Sequence, residues 1–168
     1  MLLYIHQILL SARHDKNPGL FKDKNNFAGQ TTFVDYNLVK GTLIRSFDFY
    51  NALSHPFSKA AYIMFVISEV HPFLDCNGRV ARIMMNAELV NAGHSKIIIP
   101  TVYREDFMGA LRKLTRHGDT DTYIRMLQKA QKFSENIYGD NMNKMQEYLT
   151  QTNAFSESTE AKLIILPY

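Results

Sequence analysis

The sequence predicts a mainly helical fold, a helical bundle with one short β-hairpin placed before a polar motif. Three observations predict it. Apolar residues recur three and four positions apart along most of the chain, which is the helical period. Gly and Pro stand where these periodic stretches stop. One stretch, residues 31–39, favours a β-hairpin. The chain has 168 residues, 46% of them hydrophobic, which is enough to bury a sizeable core.

In the first third of the chain, apolar spacing predicts a helix over residues 1–14. The Asn-, Lys- and Gly-rich residues 15–30 then predict a loop. Two β-favouring pieces, 31–34 and 38–39, flank a turn-forming stretch, so we expect a hairpin there. Another helix is expected to open at Thr42.

Further along, Pro56 marks the start of a helix over residues 56–69 that is apolar nearly all round, as is typical of the centre of a bundle. A polar loop follows, and then a helix over 77–92 that Gly93 should end. The extended piece "KIIIP" comes next. Three more amphipathic helices are predicted over 104–118, 120–139 and 141–150.

Composition excludes several classes of protein. The formal charge of +3 is mild, and Lys and Arg are scattered without a basic stripe, which argues against nucleic acid as a partner. A single cysteine allows no internal disulfide and favours a reducing compartment. The N-terminus lacks the basic start of a signal peptide. The run "AAYIMFVI" is too short to span a bilayer. We therefore expect a cytoplasmic protein that uses no membrane.

The polar motif "HPFLDCNGRVAR", residues 71–82, carries the chemistry. A helix that begins near Asn77 presents free backbone N–H groups, which bind anions. Arg79 and Arg82 lie on neighbouring positions of one face. Cations in the first turn oppose the helix macrodipole, so an anion between them explains their presence. Arginine suits phosphate because its planar fork binds two oxygens at once.

The other motif side chains fit phosphate chemistry. Asp75 is a hard oxygen ligand that suits Mg²⁺ bridging phosphates. His71 titrates near neutral pH and could take a proton from an attacking hydroxyl. Charge neutralisation, positioning and proton removal are what phosphoryl or nucleotidyl transfer requires.

The motif closely resembles the signature of the Fic family, His-x-Phe-x-Asp/Glu-Gly-Asn-Gly-Arg-x-x-Arg. The match covers His71, Phe73, Asp75, Asn77, Gly78, Arg79 and Arg82. The resemblance extends over roughly residues 1–130, and it implies a Fic catalytic core over 1–138 with a C-terminal helical extension over 139–168. Most Fic proteins transfer AMP from Mg-ATP to a protein hydroxyl, and the resemblance implies that activity here.

The resemblance also implies a role for each residue. His71 would be the general base, Asp75 would hold Mg²⁺, and Phe73 would point into the core. The nucleotide would lie on the helix N-terminus, held by Cys76, Asn77, Gly78, Arg79 and Arg82. The hairpin around Thr31 to Val39 would be the family's flap, on which an extended segment of the target protein docks by strand addition.

Cys76 departs from the signature, in which Gly is commonest. If the backbone there needs a positive φ, a cysteine is strained. Other interpretations of these residues are a cysteine nucleophile at Cys76 or a metal pair of His71 and Asp75. Neither accounts for the two arginines. The histidines outside the motif are isolated, and we expect them at the surface: His6, His14, His55, His94 and His117.

Alternatives to AMP transfer remain open. The same fold could transfer another nucleotide or phosphate-containing group, remove AMP from a target, or act as a non-catalytic module that binds a partner. A homo-oligomer or an inhibitory partner is compatible with the sequence. In "SESTE", Ser156 precedes Glu160 by four residues. This spacing resembles an inhibitory helix of some Fic proteins, in which Glu160 would pair with Arg82.

Overall fold

The computed structural model describes residues 1–29 and 31–166. These residues form seven α-helices and one two-stranded antiparallel sheet, which confirms the predicted fold class. None of their helices is long and apolar enough to cross a bilayer. In chain order the elements are α1 (Leu2–Leu9), β1 (Phe27–Ala28), β2 (Thr31–Thr32), α2 (Val39–Ala52), α3 (Pro56–Val70), α4 (Asn77–Asn91), α5 (Arg104–His117), α6 (Thr120–Glu135) and α7 (Met142–Gln151).

The chain divides into two compact units, Met1–Gly93 and His94–Tyr168. The first contains the polar motif, the sheet and helices α1 to α4. The second contains α5 to α7. The boundary between residues 138 and 139 that the family resemblance implies stays a prediction.

The centre of the first unit is the antiparallel pair α3 and α4, which pack along much of their length. Pro56 opens α3 as its first residue, where the missing N–H costs nothing. Both helices contribute fully buried side chains to one core, among them Met64, Ile67, Val80, Met85 and Leu89. The motif is the connection between these two helices, so rigid packing on both sides holds it.

The β-hairpin lies earlier than predicted. Its strands pair Phe27 with Thr32 and Ala28 with Thr31, and Gly29 takes a positive φ of 58° in the turn. The predicted strands at 31–34 and 38–39 were wrong beyond residue 32. Asp35 explains the difference, because its side chain accepts a hydrogen bond from the Asn37 N–H. This cap starts a 3₁₀ helix, Tyr36–Leu38, that runs directly into α2.

Helix boundaries elsewhere differ from the predictions by a few residues. Helix α1 ends at Leu9 instead of residue 14, and α2 begins at Val39 instead of Thr42. The motif helix begins at Asn77 as predicted, and Gly93 follows its end with φ 74°.

The second unit has its own core around α5 and α6. Gly118 ends α5 with φ 67°, and the Asp119 side chain caps α6 by accepting a hydrogen bond from the Thr122 N–H. After α7 the chain forms turns: the Glu160 N–H donates to the Glu157 carbonyl. No helix is present over the described residues 152–166. The helix that the inhibitory interpretation of Glu160 requires is therefore absent there.

Candidate active site

The connection between α3 and α4 contains two residues with left-handed backbone conformation. His71 follows the end of α3 with φ 49° and ψ 58°, and Cys76 precedes α4 with φ 67° and ψ 6°. This region disfavours residues with a Cβ atom, and such strain occurs mostly at functional sites. A left-handed residue thus stands at each end of the motif loop, and residues 71–76 connect α3 to α4 as a short arch.

Asn77 closes this arch from within. Its side chain is 2% exposed. Its Oδ1 accepts a hydrogen bond from the Phe73 N–H at 2.9 Å, and its Nδ2 donates to the Phe73 carbonyl at 2.8 Å. Both polar groups of the amide are thus used inside the loop. The side chain of Asn77 is therefore not available to bind an anion. If Asn77 lines an anion site, as the sequence predicts, it does so through its backbone N–H.

Phe73 fixes the arch from below. Its side chain is fully buried and stacks on the ring of His6, with centroids 3.8 Å apart and planes 7° from parallel. Phe21 packs against it at a tilt, with centroids 5.9 Å apart. Phe73 lies in the core as predicted, and it fastens the motif loop to the N-terminal helix.

His6 contradicts the expectation of a surface histidine, because its side chain is 0% exposed. Its Nδ1 accepts a hydrogen bond from the Gly19 N–H at 3.0 Å. The proton therefore lies on Nε2, which is buried without a hydrogen-bond partner among the described residues. Burial lowers the pKa of His6, and the nearby Asp75, whose backbone lies too far or too badly aligned for a hydrogen bond to Nε2, offsets this only in part. His6 is thus a neutral part of the floor under the motif loop.

Two residues from the loop before the hairpin, Lys22 and Asn26, hold the arch from the side. The backbone N–H of Lys22 donates to the Pro72 carbonyl at 2.8 Å. The Asn26 Nδ2 donates to the Phe73 carbonyl at 2.8 Å and reaches the His71 carbonyl at 3.4 Å. The Lys22 ammonium in turn donates to the Asn26 Oδ1 at 2.8 Å. These contacts satisfy the carbonyl groups that the tight arch leaves without partners.

His71 is presented with a defined tautomer. Its Nδ1 lies 3.2 Å from the Ser68 carbonyl, which can only accept a hydrogen bond, so Nδ1 carries the proton and Nε2 carries the lone pair. The ring of Phe33 stacks on the imidazole, with centroids 3.7 Å apart and planes 10° from parallel. Burial is the main cause that lowers the pKa of His71, and the nearby Lys22 lowers it further. The imidazole is therefore neutral near pH 7, as a general base must be.

The N-terminus of α4 lies at the other end of the arch. No side chain caps it, and the first intrahelical bond runs from the Val80 N–H to the Cys76 carbonyl. The preceding N–H groups of this turn are the kind that bind phosphate oxygens. Arg82 extends back over this turn, since a Cβ atom on Gly78 would lie 3.4 Å from Arg82 Nη1. Arg79 is exposed beside it. The turn thus combines free N–H groups with guanidinium groups from the same helix.

Asp75 is half-buried directly before this turn, and its Oδ1 accepts a hydrogen bond from the Cys76 N–H at 2.6 Å. One carboxylate beside a helix N-terminus of the kind that suits phosphate fits Mg²⁺, which takes few protein ligands and fills its octahedron with phosphate and water oxygens. Among the described residues, no three His, Cys, Asp or Glu side chains lie close enough together to hold a metal. The residues present therefore fit an ion that arrives with a phosphate ligand better than a metal held by protein alone.

Cys76 is buried, and burial raises the pKa of its thiol more than the two arginines lower it. A nucleophilic cysteine needs the opposite shift, because the thiolate is the reactive form. The side chain is a small buried thiol. The backbone of Cys76 has a positive φ, which is the condition under which the sequence predicts strain at this position, where Gly is commonest in the signature.

A family model supplies the comparison that decides the assignment. The model described as "Fic/DOC family" matches residues 1–89, which is more than half of the chain and includes the whole motif. The chain belongs to the Fic/DOC family. This confirms the resemblance over residues 1–89, which lie within the range of roughly 1–130 that the sequence indicated.

Curated relatives and solved structures agree with this assignment. The chain is 38% identical over 73 residues to "Protein adenylyltransferase Fic" of Drosophila persimilis, which covers 44% of the chain and 14% of that relative. Its fold is similar to "Fic-1 (aa134 - 508) from C. elegans", with a TM-score of 0.66, 22% identity and coverage of 90% of the chain and 43% of the other. A Fic family protein from Desulfovibrio desulfuricans gives a TM-score of 0.65 at 19% identity, with 94% and 57% covered. The chain thus spans only a fraction of these relatives.

The sequence singled out the residues of the motif but missed those that support it. His6, Lys22, Asn26 and Phe33 lie 38 to 65 positions before His71 in the chain, and the structure brings each of them against the motif loop. One signal was available. A histidine inside the apolar pattern of α1 indicates burial, since the residues around it at helical spacing are apolar.

Proposed function

We propose that this Fic-family chain is a protein adenylyltransferase that moves AMP from Mg-ATP to a Ser, Thr or Tyr hydroxyl of a target protein. The observation that carries the proposal is the arrangement of His71. Its Nδ1 is anchored on the Ser68 carbonyl, so its Nε2 carries the lone pair and has no hydrogen-bond partner among the described residues. The loop that holds it ends at an arginine-flanked helix N-terminus. The names of the curated relatives support the same activity.

In this proposal the nucleotide binds through its phosphates. The N–H groups of Asn77 and Gly78 at the start of α4 take phosphate oxygens. The Cys76 N–H before them already donates to Asp75 Oδ1, so the expected contact of Cys76 with the nucleotide is left out of this proposal. The guanidinium groups of Arg79 and Arg82 neutralise the β- and γ-phosphates. Asp75 would hold Mg²⁺, which would neutralise charge on the same phosphates when bound.

The transfer step is an in-line displacement at the α-phosphorus. The target hydroxyl oxygen attacks the α-phosphorus of ATP, and its proton passes to Nε2 of His71. The bond between the α-phosphorus and the oxygen that bridges to the β-phosphate breaks. Pyrophosphate leaves with the electron pair of that bond, on the side where the arginines lie. The product is a phosphodiester between AMP and the target hydroxyl. His71 later loses its proton to solvent.

The target is proposed to dock on the hairpin. Its second strand is only Thr31–Thr32, and Thr32 is exposed. An extended segment can add to such an edge through main-chain hydrogen bonds, with little demand on its sequence. The distance along the chain from Thr32 to Phe33, which touches His71, is one residue. A segment bound on this edge would therefore lie beside the general base.

A substitution of His71 tests the proposal. We expect His71→Ala to reduce transfer by at least about 100-fold, because a general base contributes roughly 10²–10⁴-fold. Nucleotide binding, measured by calorimetric titration with Mg-ATP, should survive. Arg82→Ala should instead weaken that binding. His55→Ala is the matched control, since His55 is exposed at the start of α3 and outside the motif. Transfer that persists in His71→Ala would contradict the proposed base.

One alternative within the family keeps support from the geometry. Every group described at the α4 N-terminus suits phosphate, and none of them reads a nucleobase. The same site therefore serves transfer of another nucleotide or phosphate-containing group, or the removal of AMP. Competition of Mg-ATP with other nucleoside triphosphates in the calorimetric titration tests which nucleotide is preferred, and incubation with an AMP-modified target tests removal.

A further inference from the structure

Phe33 connects the hairpin to the general base. It follows β2 directly, it is half-buried, and its ring lies face to face with the imidazole of His71 at 3.7 Å. The Ser68 carbonyl holds the edge of the same imidazole through Nδ1. A single hydrogen bond at Nδ1 still leaves the imidazole some freedom to turn about its Cβ–Cγ bond. The stacked phenyl ring covers one face and removes this freedom.

The hairpin that carries Phe33 is itself fastened to the motif loop. On the entering side, Asn26 donates hydrogen bonds to the carbonyl groups of Phe73 and His71. At the base of the hairpin, Asn25 donates to Asp35 through its Nδ2 at 2.9 Å and accepts from the Tyr36 N–H through its Oδ1 at 2.9 Å. The two sides of the hairpin are thus tied together and both reach the motif: Asn26 holds its backbone and Phe33 holds its histidine.

We propose that Phe33 is a positioning residue for His71, so that the orientation of the base depends on the conformation of the hairpin. This inference rests on the proposed function for its catalytic meaning, but the contact itself can be measured without any transfer. It implies that a segment paired with Thr31–Thr32 acts on the adjacent Phe33. It also implies that the target hydroxyl approaches at the Nε2 edge of the imidazole, because the phenyl ring blocks one face.

Charged groups near the imidazole come from both neighbouring elements. Lys22, in the loop before the hairpin, disfavours the imidazolium form, and Asp75 and the Ser68 carbonyl favour it. Phe33 carries no charge and contributes to the burial of the ring. Its removal should therefore expose the imidazole while Lys22, Ser68 and Asp75 stay in place. A change in the His71 pKa in Phe33→Ala can then be assigned to the loss of burial and stacking.

The experiment follows the His71 imidazole by NMR titration of protein labelled at its histidines, with His71→Ala to assign the signal. In Phe33→Ala the pKa of His71 should rise toward the ordinary value of 6.5, because water reaches the ring. Its Hε1 signal should also lose the ring-current shift of a stacked phenyl ring. Phe33→Tyr, which keeps the ring, should restore both. Phe27→Ala is the matched control, since Phe27 is 65% exposed on the neighbouring strand. It should leave the His71 titration unchanged.

Transfer kinetics form the second part of the experiment. Phe33→Ala should lower kcat about threefold to tenfold, the range expected when one aromatic stack is lost, with KM for ATP unchanged. Phe33→Tyr should recover most of kcat. An unchanged His71 titration in Phe33→Ala would overturn the proposal, and so would a changed titration with unchanged kcat. If the unmodified protein transfers nothing while the titration shifts as expected, the proposed function fails and the contact between the hairpin and His71 stands.

Discussion

Because the backbone at Cys76 is strained, we predict that a glycine there makes the protein more stable than an alanine does, which is the reverse of the usual order. Cys76 has φ 67° and ψ 6° directly before α4. A residue with a Cβ atom pays about 1–2 kcal/mol for this conformation, and Gly pays almost none. We therefore compare Cys76→Gly with Cys76→Ala. Both variants lose the buried thiol, so the difference in their free energies of unfolding reflects only the Cβ atom: its strain in this conformation and its effect on the unfolded chain.

The expected difference follows from two opposing terms. Gly relieves about 1–2 kcal/mol of strain, and it carries its usual disadvantage of about 0.5–1 kcal/mol from the greater freedom of the unfolded chain. At the midpoints of these two ranges, Cys76→Gly is favoured over Cys76→Ala by about 0.75 kcal/mol in the free energy of unfolding. For a chain of this length that corresponds to about 1–4 °C in Tm.

Equilibrium urea unfolding of both variants measures this difference. A matched control is Ala87→Gly, since Ala87 is an exposed interior residue of α4. There the order must reverse, and Gly should cost about 1 kcal/mol relative to Ala. If Cys76→Ala is as stable as Cys76→Gly, or more stable, the loop before α4 does not hold a left-handed residue and the strain argument fails.

Three further predictions come from the same unit. Asn77→Ala should destabilise the fold by about 1–3 kcal/mol, because the Phe73 N–H loses its buried acceptor; urea unfolding measures it, and a loss below about 0.5 kcal/mol would contradict the arch described above. Because burial lowers the pKa of His6, the unfolded chain takes up a proton below pH 6.5 before the folded chain does, so the free energy of unfolding should fall as pH decreases through 6.5; the fall should be smaller in His6→Gln, and an equal fall would exclude His6 as a source. Transfer should require neutral His71, so kcat/KM should rise with pH through a pKa below 6.5 and then level off. A kcat/KM that declines above that pKa would mean that the imidazolium is the active form.

Much of the fold could be predicted because its signals are local. The apolar spacing of α3 and α4, Pro56 at the start of α3 and Gly93 after α4 each determine structure within a few residues. The hairpin was placed too late because β-propensity in residues 33–39 competed with the cap at Asp35, and the cap prevailed. A two-residue strand such as Thr31–Thr32 has almost no signal of its own.

In the candidate site, too, the local features could be predicted from the sequence and the distant contacts could not. The motif residues are contiguous, so their order alone indicated anion and proton chemistry. The contacts that hold them are distant in sequence: His6 under Phe73, Asn26 on its carbonyl and Phe33 on His71. Such contacts follow from the packing of α1 and the hairpin against the motif loop, and no periodic pattern encodes which distant side chain meets which loop.

The most direct test of the account is the fate of the α-phosphate. The protein would be incubated with target-containing lysate and Mg-ATP labelled at either the α- or the γ-phosphate, beside His71→Ala. The account predicts that protein acquires label from α-labelled ATP only, and that this label is absent with His71→Ala. Protein label from γ-labelled ATP, or α-label that persists without His71, would contradict it.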